Sequence, residues 1–104
     1  MIKVSVMYPN QPGARFDLNY YCEKHMPMVR ERMGKHLQSY TVEKGLAGAA
    51  PGQPAPYLAM GHLFCESVEA FQAGFGPHVK EIMGDIPNYT DSSPTVQISE
   101  IVVD

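Results

Sequence analysis

Apolar and polar residues alternate through 2–8, IKVSVMY: Ile2, Val4, Val6 and Tyr8 fall on one side, Lys3, Ser5 and Met7 on the other. A period of two is that of a half-buried strand, and Pro9, Pro12 and Gly13 close it. From Asp17, an N-capping residue type, the apolar steps lengthen to three and four: Leu18, Tyr21/Cys22, His25, Val29 and Met33. Glu23, Lys24, Arg30 and Glu31 lie mostly off that stripe, as the wet side of an amphipathic helix should. Pro27 has no N–H and crowds the carbonyl of Glu23, which predicts a kink beside His25; Gly34 ends the helix. Alternation returns in 38–45, QSYTVEKG, with Tyr40 and Val42 on one face and Thr41 and Glu43 on the other.

The next stretch, GLAGAAPGQPAP, is a loop by composition. Residues 57–65, YLAMGHLFC, are apolar on both faces, which suits a central strand. Ser67 then caps a second helix with the stripe Val68, Phe71, Phe75, Val79 and Ile82. Gly74, Gly76 and Pro77 cut that helix in the middle, and Pro77 suits the first turn of a fresh segment. After the turn-rich DIPNYTDSSP, TVQISEIVV (95–103) predicts a last strand with Val96, Ile98 and Val102 on one face. Strand, helix, strand, strand, helix, strand is the βαββαβ order of a ferredoxin-like α+β fold, with both helices on one side of an antiparallel sheet.

Composition narrows the picture. A chain of 104 residues, 44% apolar and 18% charged, suits one domain spanning 1–104. A net charge of -3 with scattered Lys and Arg gives no footprint for nucleic acid. No apolar run approaches the roughly 20 residues of a membrane span, and from the strand-like pattern of MIKVSVMYPN no secretory leader is expected. Cys22 and Cys65 form no metal-ligand spacing, so two reduced thiols in a cytoplasmic protein are expected.

Familiar catalytic signatures are absent: no phosphate loop, no GxSxG elbow, no HExxH. The histidines at 25, 36, 62 and 78 make no i, i+4 pair on one helix, and no metal site is expected. His25 lies on an apolar stripe, where an imidazole costs free energy unless its nitrogens find partners. It is either a core histidine satisfied by one carbonyl or a pocket base, its ordinary pKa of about 6.5 suiting proton transfer. His62 shares parity with Leu58, Met60 and Phe64, the bulkier apolar set, which predicts that it faces the helices as His25 faces the sheet. Tyr40 then offers a phenol to a developing enolate, or simply packs on the sheet with its hydroxyl at the rim. Asp85 and Tyr89 fall in GDIPNYTD, where turn chemistry is enough to account for them.

Three blocks of sequence carry a resemblance. FDLNYYCEKHMPMV resembles the F-D-x-x-Y-Y-x-x-x-H-x-P-L-V segment of the EthD family, with Met28 where Leu is usual. YTVEKGLAGAAPGQPAPYLAMGHLFC resembles that family's second strand, loop and third strand. DIPNYTDSSPTVQISEIV resembles its D-I-P-N-F-T-D closing block, with Tyr89 where Phe is usual. The resemblance implies a dimeric α+β barrel, hence a homodimer, working without metal or organic cofactor in bacterial degradation or pigment pathways. In relatives that isomerise methyl-substituted muconolactones, the acting His and Tyr match His25 and Tyr40, and a pocket Cys matches Cys65.

Three functions follow as expectations. The first is an isomerase-, cyclase- or lyase-like enzyme acting by proton transfer on a small carbonyl, lactone, aromatic or polyketide-type metabolite. There His25 is the base, Tyr40 and His62 hold the enolate oxygen, and Tyr21, Cys65, Asp85 and Tyr89 shape the substrate pocket. The second is a cofactor-free oxygenase of phenols or quinols; the third is a non-catalytic accessory binding protein. The dimer is expected through the sheet face carrying Lys3, Ser5, Met7, Leu63 and Ile101.

Overall fold

The computed structural model describes residues 1–104. Strand β1 (Ile2–Pro9) leads into α1 (18–33), then β2 (Ser39–Lys44) and β3 (Tyr57–Cys65). Helices α2 (Val68–Phe75) and α3 (Val79–Gly84) follow, and β4 (Thr95–Glu100) closes the chain. The strands run β2-β3-β1-β4, every neighbouring pair antiparallel, with the helices packed on one face. This is the expected ferredoxin-like α+β arrangement. No helix is long and apolar enough to cross a membrane.

The caps fall where side-chain chemistry puts them. The Asp17 carboxylate accepts the Tyr20 N–H at 3.1 Å, and the Ser67 hydroxyl accepts that of Ala70 at 3.1 Å. Gly34 ends α1 at φ 56°, a conformation that side chains resist. Inside α1 the kink expected at Pro27 takes a definite form, a π-helical turn over Tyr21–His25. The Met26 N–H reaches back five residues to the Tyr21 carbonyl, opening the turn in front of the proline. Of the pair Tyr21/Cys22, the wider turn puts Tyr21 in the core and leaves Cys22 exposed.

Three expectations are corrected. The face of β3 is the important one. Register with β1 pairs Val4 with Leu63, Val6 with Gly61 and Tyr8 with Ala59, so Ala59, Gly61, Leu63 and Cys65 lie under the helices. His62, Leu58, Met60 and Phe64 therefore face away from them. The physical reason is space: the covered face takes the small residues because large aromatics descend on it from α1, the Tyr21 hydroxyl lying against Gly61. Secondly, β4 stops at Glu100 rather than 103. The Ile101 N–H to the Met1 carbonyl is the last rung, and Val102 is exposed. Thirdly, α2 runs through Gly74 and breaks only at the 3-10 turn Gly76–His78; Gly74 is buried against His36 and Met33, where a side chain would not fit.

The core has an aromatic corner at one end of the sheet. Tyr8, Phe16, Tyr21 and Tyr89 meet edge to face, or tilted for Tyr21 on Tyr89, with centroids 5.0–5.8 Å apart. Segment 85–92 is laced to the start of α1: the Asp17 N–H donates to the Tyr89 carbonyl at 2.7 Å and the Thr90 hydroxyl to the Arg15 carbonyl at 2.6 Å. That lacing carries Asp85 and Tyr89 to the side of His25.

Candidate active site

His25 sits at the end of the π-helical turn, 4% exposed, its ring stacked on Tyr21 with an interplanar angle of 13°. Nδ1 lies 2.9 Å from Asp85 Oδ2. The other oxygen of Asp85 accepts the Tyr20 hydroxyl at 2.7 Å and the Asn88 amide at 2.9 Å. Partial burial works against the Asp85 charge, but hydrogen bonds from Asn88, Tyr20 and His25 outweigh it and hold the carboxyl below its ordinary pKa. Burial pushes the His25 imidazole below its own ordinary value, opposed by the hydrogen bond and charge of Asp85. The pair is thus a carboxylate beside a neutral imidazole at neutral pH. An ionised carboxylate only accepts, so Nδ1 carries the proton and Nε2 keeps a free lone pair.

Nε2 has one long contact, 3.5 Å to the Tyr89 hydroxyl. That hydroxyl is bonded more tightly to Tyr8, at 2.6 Å. Burial pushes the phenols of Tyr8, Tyr21 and Tyr89 far above their ordinary range, so all three remain neutral and able to donate.

Of these groups Tyr8, Tyr21 and His25 line a cavity of about 240 Å³ between the helices and the sheet, with Asp85 and Tyr89 behind them. Val4, Val6 and Leu63 floor it, Phe71 and Phe75 wall it, and Tyr8, Tyr21 and His25 supply its polar end. On the far side of Asp85 lies a separate polar groove bordered by Tyr20, Lys24, Glu81 and Asn88. Asp85 therefore stands between the imidazole and open water. Nowhere do three His, Cys, Asp or Glu side chains converge as a metal-ligand set requires.

Of the site residues expected from sequence, the structure brings together His25, Tyr21, Asp85 and Tyr89. It does not bring in the other three. His62 is on the opposite face of the sheet, its Nδ1 2.9 Å from Ser5 Oγ and its Nε2 3.2 Å from Glu43. Tyr40 is on the helix side but out at β2, its ring under the Arg30 guanidinium at 4.9 Å. Cys65 is fully buried at the far end of β3 opposite Ile2, its thiol pushed up by burial, and is not on the cavity wall. Sequence reasoning missed Tyr8 and Tyr20. Tyr8 had a signal, as the last and only polar-tipped member of the β1 stripe; Tyr20 had none apart from its place beside Tyr21.

A ferredoxin-like α+β domain with a buried His–Asp pair and two buried tyrosines at the inner end of an apolar cavity is the class that fold and site define. The EthD domain profile matches residues 14–93. An EthD-like protein from Ralstonia eutropha JMP134 has a crystal structure that superposes with TM-score 0.94 at 56% identity, covering 99% of this chain and 93% of that one. The chain belongs to the EthD family. An ethyl tert-butyl ether D (EthD) family protein from Bacillus halodurans C-125 shares the fold at TM-score 0.65 and 18% identity, covering 96% and 97%. So does HapK from Hahella chejuensis, at 0.60 and 12%, covering 100% and 95%. No curated protein matches the chain.

Proposed function

We propose that the chain is an enzyme that shifts a proton on a small carbonyl compound bound in the apolar cavity, with His25 as the base. One observation carries this reading: Asp85 occupies Nδ1 and so leaves Nε2 free to accept a proton, on a histidine that lines the cavity. In the reaction Nε2 takes a proton from the carbon next to the carbonyl, and the C–H electrons move onto oxygen. Neutral phenols at Tyr8 and Tyr21 donate to that oxygen as its charge develops, the part first expected of Tyr40 and His62. Asp85 steadies the imidazolium so formed, and return of the proton to a different carbon completes an isomerisation. Tyr89 touches both Tyr8 and His25 and acts as a positioning residue.

The test is hydrogen–deuterium exchange at the activated carbon of cyclic ketones and lactones, followed by NMR. Native protein should speed exchange, and His25→Asn should lower the rate by about 10²–10⁴-fold while still folding. Ligand binding with no exchange would point instead to an accessory binding protein, and oxygen consumption with phenols to an oxygenase. The free, exposed thiol of Cys22 supports a reducing compartment, and we assign the chain to the cytoplasm on that ground. A homodimer through the open sheet face, implied by the family resemblance, belongs to the same proposal.

A further inference from the structure

We infer that the cavity selects uncharged, flat, one- or two-ring substrates and rejects carboxylates. This rests on reading the cavity as the substrate site and adds the substrate's charge and shape. Of 16 wall residues 14 are hydrophobic, the other two being His25 and Gly61, so no Lys or Arg reaches the interior. The nearby cations are committed elsewhere. Arg30 lies over Tyr40, Arg32 is bonded to Glu81 and Glu31, and Lys24 borders the outer groove. A substrate carboxylate would thus lose its water without gaining a counter-charge, which is heavily unfavourable.

The polar end makes this worse for an anion. Behind His25 stands the Asp85 carboxylate, 2.9 Å from Nδ1, so the one polar group able to turn positive is backed by a negative charge. The mouth gives no help either. Val79, Met83 and Val96 line the cavity and are also 43%, 41% and 49% exposed, an apolar rim where charge-reading side chains would otherwise stand. Shape follows from the walls. Phe71 and Phe75 lie nearly parallel with centroids 5.0 Å apart and both border the cavity, offering a flat surface to a ring. At about 240 Å³ the space is below the range of drug-sized sites and suits one or two rings.

The experiment compares methyl 2-naphthoate, 2-naphthol and 2-naphthoate by calorimetric titration of the native protein at neutral pH. The ester and the naphthol should bind, and the carboxylate should bind at least about 100-fold more weakly. Equal or tighter binding of the carboxylate overturns the inference, and so does failure of both neutral probes to bind. Met83→Arg places a cation on the exposed rim and should bring the carboxylate to within about tenfold of the ester. If that variant folds and the gap stays, the missing cation is not the cause and the inference fails. His25→Asn separates this claim from the enzyme reading. The preference for neutral rings should survive in it while exchange is lost; native protein that shows the preference but catalyses no exchange would overturn only the proton-transfer function.

Discussion

His25 and Asp85 show how a pair of residues becomes a base. Desolvation keeps the imidazole neutral, and the carboxylate chooses which nitrogen holds the proton. Asp85→Asn removes the one influence that raises the His25 pKa, so the base becomes weaker and its proton placement is no longer imposed. The acid limb of the kcat/KM profile should therefore move to lower pH, with kcat reduced by about 10²-fold or more. A limb that stays put, measured across a pH series, would show that Asp85 does not act through His25. Stability has its own sign. An unfolded chain protonates this histidine near 6.5 while the folded one resists. Stability contributed by neutral His25 is thus present above that pH and is lost as pH falls through the folded pKa. The melting temperature should fall less steeply with acidity in His25→Asn than in the native chain. His25 was legible in the sequence because an imidazole on an apolar stripe needs an explanation. Asp85 could be named for the pocket but not as the partner of His25, since a carboxylate after a helix has a sufficient local reason and the histidine is 60 residues away.

At the scale of elements, α1 and β3 are shaped for one another. The helix delivers Tyr21 through a widened turn, and the strand answers with Gly61 directly beneath the hydroxyl. The order and most boundaries of the elements could be read from periodicity, because each strand and helix buries one side. The orientation of β3 could not. With apolar residues on both faces, bulk favoured the side of Met60 and Phe64, whereas the fold needed vacancy on the side that receives tyrosines. A direct check is Gly61→Ala. The new methyl meets the Tyr21 phenol, which cannot swing aside because Tyr8, Phe16, His25 and Tyr89 surround it. Overpacking of this kind costs about 1–3 kcal/mol, visible as a melting temperature lower by several degrees. Substrate binding should weaken with it, because Tyr21 also walls the cavity. A variant as stable as the native chain would mean that the register of β3 differs from this one.

The whole molecule is a slab, 41 × 34 × 19 Å, only two layers thick. Its radius of gyration, 14.0 Å, exceeds the roughly 13 Å of a compact chain this long. A flattened shape leaves one broad side of the sheet without a covering layer. The orientation of β3 decides what that side displays. Leu63, first expected there, is buried under the helices, and Met60 and Phe64 take its place, joining Met7 around the Ser5–His62 pair. Met7 and Met60 are direct partners across β1 and β3, so apolar side chains flank the central Ser5–His62 pair while Glu43 and Gln97 mark the edges of the face. An antiparallel sheet can leave such a face wet. A second copy laid on it would instead bury the methionines and Phe64 against their own mates. The proposed dimer is therefore expected to use these residues, and native protein should sediment at twice 11.5 kDa at micromolar concentration. Met60→Asp with Phe64→Asp should halve that mass without changing the circular dichroism. Because the cavity opens on the helix side, this monomeric variant should still bind 2-naphthol. A native mass of 11.5 kDa would remove the dimer altogether. A dimer that survives both charges would place the interface on another surface, such as the free edge of β4 where Val96 and Ile98 are exposed.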